Sequence, residues 1–273
     1  MCCRVGRRSW RNIIDNDCKL CACTWNYICF IGSECLCMCV DKHVINVRFM
    51  SEIAGFPLGI LNSALYSYLL PSLQLCSAEY RRVRILVTRE VAKSVGRLVA
   101  LALDLDIHFF DKSEMLGEAI QTLGLLHYDG QVSDPANGIF GAGAHSDFGF
   151  ITLLATDEVV GLQIRKDKDA KPQIWEYVPP IKGSFKVNLS DMLERWSNGV
   201  FKSTLHRVAG NGQDGYSIAY FIEPSHDCLV ECLPTCKSEK YPPKFPPILC
   251  QTYLRQRYYD TYADLNVYTE HNN

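Results

Sequence analysis

His145 and Asp147 stand one residue apart in GAGAHSDFGF, and His206 follows 59 residues beyond Asp147 in STLHRVAG. Side chains alternate along a strand with a period of two, so residues i and i+2 at a strand end point the same way and can grip one ion. Two imidazoles and a carboxylate on one face of a metal are the donor set of mononuclear iron(II) centres that keep positions open for other ligands and oxygen. The lack of a thiolate disfavours structural zinc. The distance in sequence to the third donor requires a second strand laid beside the first, unlike a His-Glu-X-X-His motif, whose ligands share one helix. A His-X-Asp triplet by itself is a common surface or capping pair, so the weight falls on its surroundings.

The elements around these residues can be read from periodicity. From Tyr80 to Leu105, Val87, Val91, Val95, Leu98, Val99 and Ala102 recur at helical spacing among basic residues, predicting a helix with one face on a sheet. Seven short β-branched and aromatic runs follow between Asp-Gly, Asn-Gly and Lys-Gly turn signals: TLGLLHY, GFITLLA, GLQIR, QIWEYV, SFKVNL, STLHRV and YSIAYFI. They predict an antiparallel barrel or sandwich. Beyond Pro224, Cys228, Cys232 and Cys236 recur at intervals of four near His226 and before a proline-rich run, a pattern read as a solvent-facing loop over a metal site. ILCQTYLRQRYYDTY predicts a helix lying across the barrel.

Charge and cysteine usage bound the partners and compartment. The 273 residues carry 28 basic and 30 acidic side chains, a net charge of -2, which offers no footprint for nucleic acid or an anionic membrane. Nine of the 14 cysteines lie between Cys2 and Cys39, and none lies between Ser77 and Asp227, so the stretch bearing the triad has no disulfide framework and a reducing cytoplasm is expected. The early cysteines lack a matched second Cys-X2-Cys pair for zinc, and MCCRVGRRSWRNIIDND lacks the apolar core of a signal peptide. Residues 1–79 therefore read as an atypical Cys-rich and apolar leader, disordered or poorly packed. Within it, the uncharged stretch 53–78 is broken by Pro57, Asn62 and Pro71, predicting a buried helix over about 58–70 in preference to a membrane span.

The pieces REVAKSVGRLVALALDLD, LLHYDGQVSD, GAGAHSDFGFITLLATDEVVGLQI, FKVNLSDMLERWSNGVFKSTLHRV and YSIAYFIEPSHD, in this order and near this spacing, resemble the plant-type 2-oxoglutarate and iron(II)-dependent dioxygenases, relatives of isopenicillin N synthase. The likeness spans 80–268, with a core at about 119–224, and leaves 1–79 unmatched. It implies a mainly β double-stranded β-helix, or jelly roll, with supporting helices. His145, Asp147 and His206 would be the iron ligands, with 2-oxoglutarate and O2 consumed in oxidising a small organic substrate. A monomer is expected.

In that family an Arg-X-Ser pair on a late strand holds the distal carboxylate of the cosubstrate. Here the triplet is Gly215-Tyr216-Ser217, so only the serine hydroxyl remains. Losing one partner of a buried ion pair costs about 3–5 kcal/mol, on the order of a hundredfold to a few thousandfold in affinity. Tyr128 matches a family position whose phenol contacts the cosubstrate, and Gly124 stands where relatives commonly have arginine. Alternation aims Arg207 away from the site, whereas the facing of Lys186 in FKVNL cannot be read from sequence. Phe148, Phe150 and Phe221 read equally as pocket lining or core. Three functional readings follow: an active 2-oxoglutarate dioxygenase, a catalytically silent remnant of the family, and an iron(II) oxidase that does not use 2-oxoglutarate.

Overall fold

The computed structural model describes residues 26–31, 34–41, 44–49, 78–166, 170–181 and 184–262. The helix expected over 58–70 and the first cysteines lie outside them. Helix α1 (Ala78–Ala102) covers nearly the span its periodicity predicts and buries Val91, Val95, Leu98 and Val99.

Among the described residues thirteen strands follow one another as β1 (Asn26–Ile31), β2 (Glu34–Asp41), β3 (Val44–Phe49), β4 (Ile120–Asp129), β5 (Ala142–His145), β6 (Ile151–Thr156), β7 (Leu162–Ile164), β8 (Glu176–Tyr177), β9 (Ser184–Leu189), β10 (His206–Val208), β11 (Asp214–Glu223), β12 (Leu229–Val230) and β13 (Ile248–Leu249). Between them lies α2 (Asp191–Trp196), and α3 (Cys250–Tyr262) comes last. A seven-stranded sheet runs β1-β2-β3-β9-β6-β11-β4, and a four-stranded sheet runs β5-β10-β7-β8. Leu154 and Ala219 of the first cluster with Leu162 and Ile164 of the second, so the sheets face each other across an apolar interior as a jelly roll requires.

The large sheet has two different faces. Phe185, Val187 and Leu189 of β9, Ile151 and Leu153 of β6, and Tyr220 and Ile222 of β11 join α1 in the main core. The alternate residues look into the space between the sheets. At the centre of the main core, Phe150 is fully buried against Phe110 and Trp196, so it is core and not pocket lining. Phe148 is only partly buried and meets Tyr258 edge to face, while Phe221 packs on the interior cluster.

Several expectations need correction. Within 1–79, read above as an atypical leader, disordered or poorly packed, the described stretches 26–31, 34–41 and 44–49 are strands β1, β2 and β3 that extend the large sheet through the β3–β9 pairing. The segment after Pro224 is not solvent-facing throughout: Cys228 and Cys232 are buried with Val230 and Leu233, because β12 pairs with β13 and carries them into the core. QIWEYV yields only the two residues of β8, an exposed edge strand between prolines at 172 and 179.

Truncating Phe150 to alanine should lower unfolding free energy by about 3–5 kcal/mol, read from the denaturation midpoint, because the surrounding rings cannot collapse into the space.

Candidate functional site

The triad is assembled by strand pairing. His145 closes β5 and His206 opens β10, and the two are directly opposite in the antiparallel ladder. Their ring centroids are 4.2 Å apart. Asp147, two residues past His145, brings Oδ1 to 3.9 Å from His145 Nε2 and 3.7 Å from His206 Nε2. One donor atom from each residue falls within 4.8 Å of the others, and this is the only such cluster of metal-ligand side chains among the described residues.

Each donor is oriented by a neighbour. The Nδ1 atoms of His145 and His206 lie 2.7 Å from the Gly143 carbonyl and 3.0 Å from the Thr204 carbonyl, which fixes the proton on Nδ1 and turns the Nε2 lone pair inward. Asn188 of β9 donates its Nδ2 to Asp147 Oδ2 at 3.2 Å, leaving Oδ1 for the imidazoles. Burial pushes the His206 imidazole below its ordinary value against the pull of Asp147, and its Nε2 also lies 3.4 Å from Asn188 Nδ2. His145 is about half exposed, whereas Asp147 and His206 are buried, so the cluster opens to solvent on one side only.

The start of α2 holds the loop between the two sheet-borne ligands. The Asp191 and Met192 amides donate to the carbonyls of Asp147 and Gly149 at 2.9 and 3.0 Å. The Asp191 carboxylate also accepts from Ser146 Oγ at 3.3 Å and from Tyr253 Oη on α3 at 2.8 Å. Sequence reasoning missed Asn188 and Asp191, and it placed a strand end at His145 from the ligand spacing alone. AGAH carries no β-branched signal, and the side-chain roles of Asn188 and Asp191 depend on contacts more than 40 residues away in sequence.

The expected cosubstrate residues also converge. Gly215 is directly opposite Tyr128, and Tyr128 Oη lies 3.3 Å from Ser217 Oγ. With Thr156, Leu154 and Val159 they line a cavity of about 50 Å³ between the sheets. A Cβ added at Gly215 would meet Val159 and Tyr128 at 3.6–3.8 Å, ordinary contact distances, so the backbone there would accept a side chain. Gly124 sits on the same face opposite Ala219. Arg207 is turned outward as alternation predicted, bonded to Gln163 at 2.6 Å and stacked on Trp175.

The donor chemistry suits iron(II): two imidazoles and one carboxylate, each braced by a hydrogen bond, with no thiolate. Facing antiparallel sheets with such a triad at one end define the double-stranded β-helix class of metal-site proteins. Residues 120–224 match the 2OG-Fe(II) oxygenase superfamily. The chain is 50% identical over 178 residues to Kihadalactone A synthase LFS of Citrus sinensis, covering 65% of this chain and 53% of that protein. Azadirone synthase LFS of Melia azedarach is 43% identical over 169 residues, 62% of this chain and 51% of that one. The chain thus spans about half the length of the curated relatives it matches. Among solved structures, the dioxygenase for auxin oxidation in rice superposes with a TM-score of 0.56 at 26% identity, over 67% of this chain and 59% of that one. JOX2 in complex with 2OG, Fe and JA gives a TM-score of 0.58 at 26% identity, over 70% and 56%.

Two measurements check the site. His206→Ala should abolish stoichiometric iron(II) binding by the purified chain, and retained iron would refute the assignment. The second concerns Glu223, whose carboxyl is pushed up to about 7 by burial and then by Asp147. Its protonated form is favoured in the fold, so its contribution is whole below the ordinary value of 4.5 and is lost as pH rises through about 7. Metal-free Glu223→Gln should therefore gain melting temperature over the unsubstituted chain as pH is raised from about 5 to about 8.

Proposed function

We propose that the chain is a non-haem iron(II), 2-oxoglutarate-dependent dioxygenase that oxidises a small organic molecule of the specialised-metabolite or hormone-like kind. The observation that carries this reading is the braced His145–Asp147–His206 cluster at one end of a jelly roll whose interior also holds the Tyr128–Ser217 hydroxyl pair. The names of two relatives, a kihadalactone A synthase and an azadirone synthase, favour a specialised-metabolite substrate.

His145, Asp147 and His206 would hold the metal, and iron(II) with 2-oxoglutarate and O2 supplies the oxidising power for an unactivated C–H bond. The residues of the chain do the positioning. Asn188 keeps one oxygen of Asp147 occupied, so the other faces the imidazoles. The Tyr128 and Ser217 hydroxyls offer hydrogen bonds to the distal end of the cosubstrate. Leu154, Leu162, Ile164 and Ala219 keep bulk water from the interior, which protects a reactive oxidant from side reactions. The half-exposed His145 marks the side from which substrate arrives.

The same reading treats the protein as a cytoplasmic monomer. Cys228, Cys232, Cys236 and Cys250 are free thiols, which suits a reducing compartment, and no described helix is long and apolar enough to cross a membrane. Gly215 favours a second reading in which the chain keeps fold and metal without turnover, because the family's cosubstrate arginine is gone.

Titration of 2-oxoglutarate into the iron(II)-loaded chain without oxygen separates the two readings. An active enzyme gives the visible charge-transfer absorption of the chelated 2-oxoacid in the unsubstituted chain. No band at millimolar cosubstrate, with one appearing in Gly215→Arg, would overturn native 2-oxoglutarate use.

A further inference from the structure

Lys186 has the wrong surroundings for a structural lysine. It lies in the middle of β9, only 2% exposed, and alternates with Phe185 and Val187, which face the main core. Its face is therefore that of Asn188, whose amide reaches Asp147 in the triad. Lys186 is paired with Leu154 of the interior cluster, and its Nζ donates to Thr156 Oγ1 at 2.7 Å. Among the described residues no carboxylate comes within ion-pair distance of this ammonium. The nearest influence of opposite sign is Asp157, whose oxygens accept from the Val159 and Tyr216 amides at 3.0 and 2.6 Å.

A buried ammonium whose partner among the described residues is one hydroxyl is costly unless something anionic comes to it. Burial pushes Lys186 down to about 8 despite Asp157, the sign of a charge under-compensated in the ligand-free fold. The hydroxyl it holds leads toward the cosubstrate residues. Thr156 is directly opposite Ser217 in the β6–β11 ladder, and Ser217 bonds Tyr128. One ammonium and three hydroxyls thus line a single face of the large sheet. Thr156, Ser217 and Tyr128 open on the cavity that Gly215 leaves free of an arginine side chain. Along β9, Lys186 lies two residues from Asn188, about 7 Å at strand rise, which is the scale of a five-carbon dicarboxylate reaching from the triad.

We propose that Lys186 is the cation that receives the distal carboxylate of 2-oxoglutarate, entering from β9 in place of the arginine missing at position 215, with Thr156, Ser217 and Tyr128 as its hydroxyl partners. This rests on the 2-oxoglutarate reading above and deepens it. It replaces a bidentate guanidinium fork by a point charge, so charge is retained and the two parallel hydrogen bonds are lost.

The test is anaerobic binding to the iron(II)-loaded chain, read from the charge-transfer band, of 2-oxoglutarate and of 2-oxopentanoate, which chelates alike but lacks the distal carboxylate. The unsubstituted chain should prefer 2-oxoglutarate. Lys186→Met should weaken 2-oxoglutarate on the order of a hundredfold to a few thousandfold and leave 2-oxopentanoate unchanged, and Lys186→Met with Gly215→Arg should recover the preference. Without ligand, Lys186→Met should melt above the unsubstituted chain, since it removes a buried charge; Lys186→Gln serves if the methionine variant does not fold. A preference that survives both neutral variants overturns the role of Lys186 while leaving 2-oxoglutarate use intact. Equal affinity of the unsubstituted chain for the two acids also overturns it, and binding of neither removes the 2-oxoglutarate reading as well.

Discussion

The antiparallel pairing of β10 with β5, which sets His206 directly against His145, is the constraint on which the rest of the site depends. These two imidazoles are not brought together by local structure, because the chain between them runs through β6, β7, β8, β9 and α2 before it returns. Once the ladder is in register, Asp147 needs only strand alternation to join them. A slip of one residue would turn His206 to the face occupied by Arg207 and dismantle the cluster.

The sheets supply the register, and the helices make it rigid. The amides at the start of α2 hold the loop bearing Asp147, and the Asp191 carboxylate joins that loop to Tyr253 on α3. A terminal helix far from the triad in sequence thereby braces the residue between two metal-ligand candidates. Asn188 completes the bracing from the opposite sheet. Its Oδ1 is buried without a partner, which is tolerable beside a polar cluster where a further donor can enter.

The interior of the roll combines two kinds of surface that normally exclude one another. One part is apolar, closed by Leu154, Leu162, Ile164 and Ala219. Beside it, Lys186, Thr156, Ser217 and Tyr128 form a polar strip, with Lys186 and Ser217 buried and Thr156 and Tyr128 partly so. Polar groups in such a place cost free energy in the empty fold and return it when a matching ligand enters. On the proposal that Lys186 receives the distal carboxylate, the charge would come from β9, two places from β11 in the sheet.

Much of this was legible in the residues. The helix from Ala78, the strands SFKVNL and YSIAYFI, the three ligand candidates and the vacancy at Gly215 follow from period and motif, because each depends on neighbours within a few positions. β5 was legible only through the ligand spacing that asks for a strand end at His145, since AGAH has no strand propensity of its own and pairs with β10. The burial of Cys228 and Cys232 was hidden for the same reason, being decided by a two-stranded pairing across the segment. The sequence alone determined which chemical groups are present and which of them alternate together along a strand. Only the tertiary structure decided which face of each strand looks inward, because alternation gives facing relative to neighbours, and the absolute sense, on which Lys186 turns, is set by what packs on the sheet.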